Sequence, residues 1–243
     1  MSKSETKPTM LLAFGAHPDD IEFACGGIIA KATRAGEVVH FVVCSRGEAG
    51  SFGTPEERIK EAQRGAEILR ATIEFVELDG DAHLEVRSAH AIKLAAVLRR
   101  MRPQIVLAPT LVENQHPDHA RLGRLVSDAT RLARYGGVHE LRSQKPHAIL
   151  HLLYYAVSPE AEPKDITPIY MDVSAMEIMS DWSAAMGAHC SQVTARNYVE
   201  LQLTRARLNG LRMGTAHAIA LFPNEPLLLD SLSVFIGSSV NRF

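Results

Sequence analysis

Short apolar runs of β type alternate with longer segments of helical period through the first 137 residues, and strands separated by helices in this way pair in parallel within one sheet. The runs MLLAFGA (10–16), VVHFVVC (38–44), TIEFVEL (72–78) and QIVLAP (104–109) are the predicted strands. The first two are apolar on both faces, as interior parallel strands must be when helices cover each side. A helix through GGIIAKATRAG follows the first. A second starts at Thr54-Pro55-Glu56-Glu57, with Thr54 as N-cap, Pro55 at the first helical position and acids in the first turn. Its buried stripe is Ile59, Ala62, Ala66 and Leu69. A third spans 88–102 and is ended by Pro103. The fourth carries Leu122, Val126, Ala129 and Ala133 at helical spacing before Gly136-Gly137 stops it. Beyond these four βα units, strands are predicted at 148–157 and 168–174, joined by a Pro-containing linker, and two helices between about 176 and 213. With no internal repeat or compositional break, the expectation is one α/β domain over 9–243, a mostly parallel sheet flanked by helices with a more irregular C-terminal third, preceded by a flexible tail at 1–8.

Composition narrows the class. A chain of 243 residues with 46% hydrophobic content can bury one large core. A net charge of −2 offers no electrostatic attraction to a nucleic acid backbone or an anionic membrane, so small polar molecules are the expected partners. The opening MSKSETKP lacks the apolar centre of a signal peptide, and no apolar run approaches the roughly 20 residues that a bilayer demands. A soluble, cytoplasmic protein is expected. Cys25, Cys44 and Cys190 are odd in number and lack C-x-x-C spacing, so buried free thiols are expected and neither a disulfide framework nor a cysteine metal site.

Two clusters carry the chemistry. His17-Pro18-Asp19-Asp20 sits just beyond the first strand, and His116-Pro117-Asp118-His119 follows the fourth. In an open parallel sheet, ligands bind at the carboxyl ends of the strands, so the two clusters converge on one rim. Helix capping accounts for either cluster alone. Together they supply two or three imidazoles and up to three carboxylates, which capping does not require. Imidazole and carboxylate without thiolate suit a catalytic Zn²⁺ that keeps one position open, and two histidines with one carboxylate can also hold Fe²⁺. Successive side chains in a tight turn point apart, so one of Asp19 and Asp20 can ligate while the other accepts a proton from the attacking water; spacing alone does not say which. Gly26-Gly27 is no dinucleotide fingerprint, because G-x-G-x-x-G is absent, and helix entry and close packing explain the pair.

The ordered pair AHPDD and HPDH, together with GTPEERIKEA, resembles the LmbE-like, or PIG-L, family of zinc-dependent N-acetylglucosaminyl deacetylases, over most of the chain but weakly after about residue 140. The resemblance implies a Rossmann-like fold, hydrolysis of an N-acetyl group from an amino sugar, and a homo-oligomer. Carried over residue by residue, it makes His17, Asp20 and His119 the zinc ligands and Asp19 the general base. His116, backed by Asp118, becomes the acid or oxyanion stabiliser, and Arg58 matches an arginine that holds substrate. Relatives that act on a malate-linked sugar in bacillithiol synthesis carry a similar arginine. CSRGEAGSFGT and AHAIALFPNEP depart from those relatives, the latter with His217 and Ile219 in place of a tyrosine and an acid.

His40, His83, His90, His139, His147 and His151 lack ligand spacing and are read as structural. His189 and His217 lie in the C-terminal third, which could close over the sugar, and are carried as candidate substrate contacts. The leading expectation is a zinc-dependent deacetylase of an N-acetylglucosamine-type conjugate. The alternatives are an amidase for a non-sugar N-acyl metabolite and a non-catalytic ligand-binding module.

Overall fold

The computed structural model of the chain describes residues 9–113, 116–194 and 197–231. The tail expected at 1–8 lies outside the described residues. β1 (Met10–Gly15) leads into α1 (Asp20–Arg34), β2 (Val38–Val43) into α2 (Pro55–Ile68), β3 (Thr72–Phe75) into α3 (Ser88–Met101), and β4 (Ile105–Pro109) into α4 (Pro117–Arg134). The chain continues through β5 (His151–Tyr155), β6 (Ile169–Asp172), α5 (Met176–Gly187), α6 (Cys190–Val193), α7 (Tyr198–Met213) and β7 (Ala218–Pro223).

The seven strands form a sheet in the order β3-β2-β1-β4-β5-β7-β6. The first five in that order are parallel, with Leu11 of β1 in register with Val39 on one side and Ile105 on the other. β1 and β4 are neighbours whose chains depart in opposite directions along the sheet, which opens the crevice where such sheets bind ligands. Alternate residues of β1 feed two cores. Leu11 and Ala13 join Ile21, Cys25 and Ile29 of α1 and Trp182 of α5, while Leu12 and Phe14 join Leu94 and Leu98 of α3 and Leu122 and Val126 of α4. The stripe read on α4 is wholly buried, whereas on α2 Ile59 is only half-buried and Arg58, beside it, is buried instead.

Local signals account for the element starts. Thr54 caps α2 through a reciprocal capping box, Glu57 N donating to Thr54 Oγ1 (3.2 Å) and Thr54 N to Glu57 Oε2 (2.8 Å). Close packing at Gly26 is equally literal, since a Cβ there would stand 2.7 Å from Cδ1 of Trp182. β7 is the element that the sequence reading missed. It runs antiparallel to both β5 and β6 and sits between them, and its apolar run AIALFP follows directly on α7. Cys25 and Cys44 are buried and Cys190 is exposed, so the expectation of buried thiols fails for the third. Among the described residues no helix is long and apolar enough to cross a membrane.

Candidate active site

The turn after β1 folds on itself: the amides of Asp19 and Asp20 point back to the His17 carbonyl (2.9 and 3.4 Å), and α1 begins at Asp20. Asp20 Oδ2 accepts from the amides of Ala16 (2.8 Å) and His17 (3.0 Å), which locks the carboxylate and leaves Oδ1 facing His119 Nε2 at 3.0 Å. His17 Nδ1 lies 3.2 Å from His119 Nε2 and 3.6 Å from Asp20 Oδ2. All three side chains are buried.

One nitrogen or oxygen from each of His17, Asp20 and His119 falls within 4.8 Å of the others. Ligand atoms held tetrahedrally at zinc distances stand about 3.3–3.5 Å apart, so this donor set fits one small divalent ion. Electrostatics agree. Burial opposes ionisation of His17, yet the surrounding Asp20, Asp118 and Asp81 carboxylates outweigh it and raise its pKa well above the usual imidazole range. Burial likewise opposes ionisation of Asp20, but His119 and His17 hold its carboxyl well below the usual range. A cluster that draws a proton onto a buried imidazole is one that a cation would equally satisfy.

A second group, His17, Asp81, His116 and Asp118, also brings its donor atoms within 4.8 Å of one another. Here His17 presents its other nitrogen: Nε2 is 3.1 Å from Asp81 Oδ1 and 3.7 Å from Asp118 Oδ2. Histidines that ligate a metal commonly give their second nitrogen to a carboxylate, which sets ring orientation and tautomer, so this group reads as the support of the first. Asp81 Oδ1 is also 3.3 Å from His116 Nε2, and His116 is the more exposed of the three clustered imidazoles. Burial opposes ionisation of Asp81, and His116 and His17 lower its pKa. Asp118 Oδ2 accepts from the Ala82 amide (2.8 Å), joining the loop after β3 to the first turn of α4.

Asp19 stands apart from the donor set. As N-cap of α1 it makes no capping bond with its side chain, and its Oδ2 faces Arg58 Nη2 at 3.3 Å. Arg58 is 4% exposed; its Nη1 donates to the Gly47 carbonyl (2.8 Å) and lies 3.9 Å from Asp81 Oδ2. The arginine expected to hold substrate is thus engaged with Asp19 and Asp81. His17, Asp19, Asp20, Arg58, Asp81, His116 and His119 line one cavity of about 570 Å³, with Phe23, Tyr198 and Leu201 among its walls.

Asp81 is the residue that sequence reasoning missed. A signal was present: DGDAH follows the third predicted strand at the same rim as the other two clusters. His189, a candidate substrate contact from the sequence, is completely buried with Nε2 3.4 Å from Glu22 Oε1. Burial opposes its protonation, and Glu22 reverses that effect and raises its pKa. His217 lies at the entry to β7, its amide donating to Ser174 Oγ (2.8 Å). His40 is structural as read, bonded to Thr72 and Glu74 on β3.

The family described as PIG-L, GlcNAc-PI de-N-acetylase, matches residues 12–130, which include both clusters, Arg58 and Asp81. The diacetylchitobiose deacetylase of Thermococcus kodakarensis is 30% identical over 200 residues, covering 75% of this chain and 69% of that protein. The 4-oxalmesaconate hydratase of Pseudomonas putida is 31% identical over 138 residues, covering 52% of this chain, and the match spans about half (53%) of the hydratase. Among solved structures, the conserved protein TT1542 from Thermus thermophilus is similar with a TM-score of 0.81 and 32% identity, over 91% of this chain and 97% of that one.

Proposed function

Because the chain belongs to the PIG-L, or LmbE-like, family of de-N-acetylases, we propose that it is a metal-dependent hydrolase that removes the N-acetyl group from an N-acetylglucosamine-type conjugate. Asp19 carries this reading: a carboxylate outside the three-donor set, held by Arg58 at 3.3 Å and lining the same cavity. A site that only bound a metal would need the three donors and no spare base.

His17, Asp20 and His119 would hold the ion, zinc in the first instance and Fe²⁺ as the other that two imidazoles and one carboxylate accommodate. Once bound, such an ion polarises an amide carbonyl and makes water acidic enough to be deprotonated near neutral pH. Asp19 takes the proton as water attacks the carbonyl carbon, and the Arg58 fork keeps its carboxylate oriented for that transfer. His116 gives a proton to the amide nitrogen as the carbon–nitrogen bond breaks, so that one water and one amide become acetate and a free amine. Asp81, 3.3 Å from His116 Nε2, fixes the orientation of the ring for this step, and Asp118 braces the cluster through His17 and Ala82.

The hydratase match supports a second reading, since addition of water across a double bond would employ the same base and acid. An amidase for a non-sugar N-acyl metabolite shares the machinery and differs only in the cavity walls. The test is to load the protein with zinc and supply a panel of N-acetylglucosamine conjugates, measuring amine and acetate release. Equal molar release of both is expected. Full metal occupancy without amine from any conjugate would overturn the deacetylase reading, and hydration of an unsaturated acid by the same preparation would install the second.

A further inference from the structure

The walls of the cavity say more about the substrate than its floor does. At about 570 Å³ it falls in the range of pockets that take up a drug-sized ligand, leaving room beyond one N-acylated sugar ring. Its lining among the described residues carries four carboxylates, Asp19, Asp20, Asp81 and Glu160, against one guanidinium, Arg58. That guanidinium is 4% exposed and already faces Gly47 O, Asp19 and Asp81. Of these five charged groups, Glu160 is the exposed one, in the turn Pro159–Ala161 after β5.

Another part of the wall is apolar. Phe23 of α1, Val157 after β5, and Tyr198 and Leu201 of α7 all line the cavity. The Phe23 and Tyr198 rings meet edge to face with centroids 5.9 Å apart, and Leu201 is 42% exposed. An aromatic pair beside an exposed leucine lowers its free energy by covering an apolar group.

We propose that this site takes an uncharged N-acylated amino sugar whose aglycone is apolar, seated on Phe23, Val157, Tyr198 and Leu201, and that Glu160 disfavours aglycones bearing phosphate or carboxylate. The proposal rests on the deacetylase reading for its reaction, and on charge and shape alone for its ligand.

The test compares phenyl N-acetyl-β-glucosaminide with its 4-carboxyphenyl counterpart on the zinc-loaded protein. The phenyl compound is expected to have the higher kcat/KM by about 5–10-fold. Glu160→Lys, a change at an exposed position, should narrow or reverse that ratio. Leu201→Ala should raise KM for the phenyl glycoside more than for the methyl glycoside. Equal or better turnover of the carboxylated compound overturns the proposal, as does an equal effect of Leu201→Ala on both glycosides. If no amine is released from any glycoside, the deacetylase reading falls, and calorimetric binding of the same phenyl pair decides the charge preference: tighter binding of the uncharged member upholds it, equal affinity ends it.

Discussion

Asp19 and Asp20 are adjacent, yet the backbone gives them different surroundings. Two amides hold one oxygen of Asp20 and direct the other at His119, whereas Asp19, without a capping bond, meets a buried arginine. Their asparagine variants should therefore fail differently. Asp19→Asn should keep its metal and lose about 10²–10⁴ in kcat, while Asp20→Asn, with a neutral ligand in place of an anionic one, should lose metal and recover part of its rate in excess zinc. Metal content measured beside kcat under identical loading decides, and an Asp19→Asn protein that is empty, or full and fully active, would exclude the roles. Asp81→Asn removes the carboxylate that stands between His17 and His116. It should cost about 10–100-fold in metal affinity or kcat with little loss of fold, and wild-type values of both would reduce Asp81 to a loop residue.

At the scale of elements, four βα connections converge on the site. The clusters after β1 and β4 were legible because their residue types are chemically loud and each directly follows a predicted strand. The loop after β3 was not, since a single aspartate between a glycine and an alanine resembles any turn. The C-terminal helices roof the cavity by contacts that no periodicity announces: Ser191 donates from both amide and hydroxyl to Glu61 of α2 (2.8 and 2.6 Å), and Gln192 to the Phe52 carbonyl (3.0 Å). Asp181 of α5 ties that helix to α1 and to the turn after α2, bonded to Arg34 and Arg70, each at 2.8 Å. The Arg34 hydrogen bond, with Arg70, holds its carboxyl below the usual range against the opposing effect of burial. A carboxyl depressed in the folded state contributes stability above its unfolded pKa of about 3.9, and that contribution is lost as pH falls through the folded value. Asp181→Asn should thus lower Tm by about 1–3 °C at pH 7 and by less near pH 2.5. The same Tm deficit at both pH values would mean that the ion pairs contribute nothing.

For the whole molecule, a bound ion should report on global stability, because its three donors come from β1–α1 and α4, which are about a hundred residues apart in sequence. Zinc at a hundredfold over its Kd should add about 2.7 kcal/mol, or roughly 5–11 °C in Tm, and the increment should vanish in His119→Ala. A zinc-induced rise that survives in that variant would place the ion elsewhere. The same separation marks what the chain by itself determined. Strand and helix identity through residue 137, the α2 cap and the two clusters follow from local pattern, because periodicity and capping act within a few residues and parallel strands deliver their carboxyl ends to one rim. Tertiary structure alone decided that β7 enters between β5 and β6, that Arg58 turns inward to Asp19, that Asp81 stands between two imidazoles, and that His189 is buried against Glu22. Each of these is a pairing of charges or strand edges far apart in the chain, and such a pairing has an energy only once the sheet has brought its partners together.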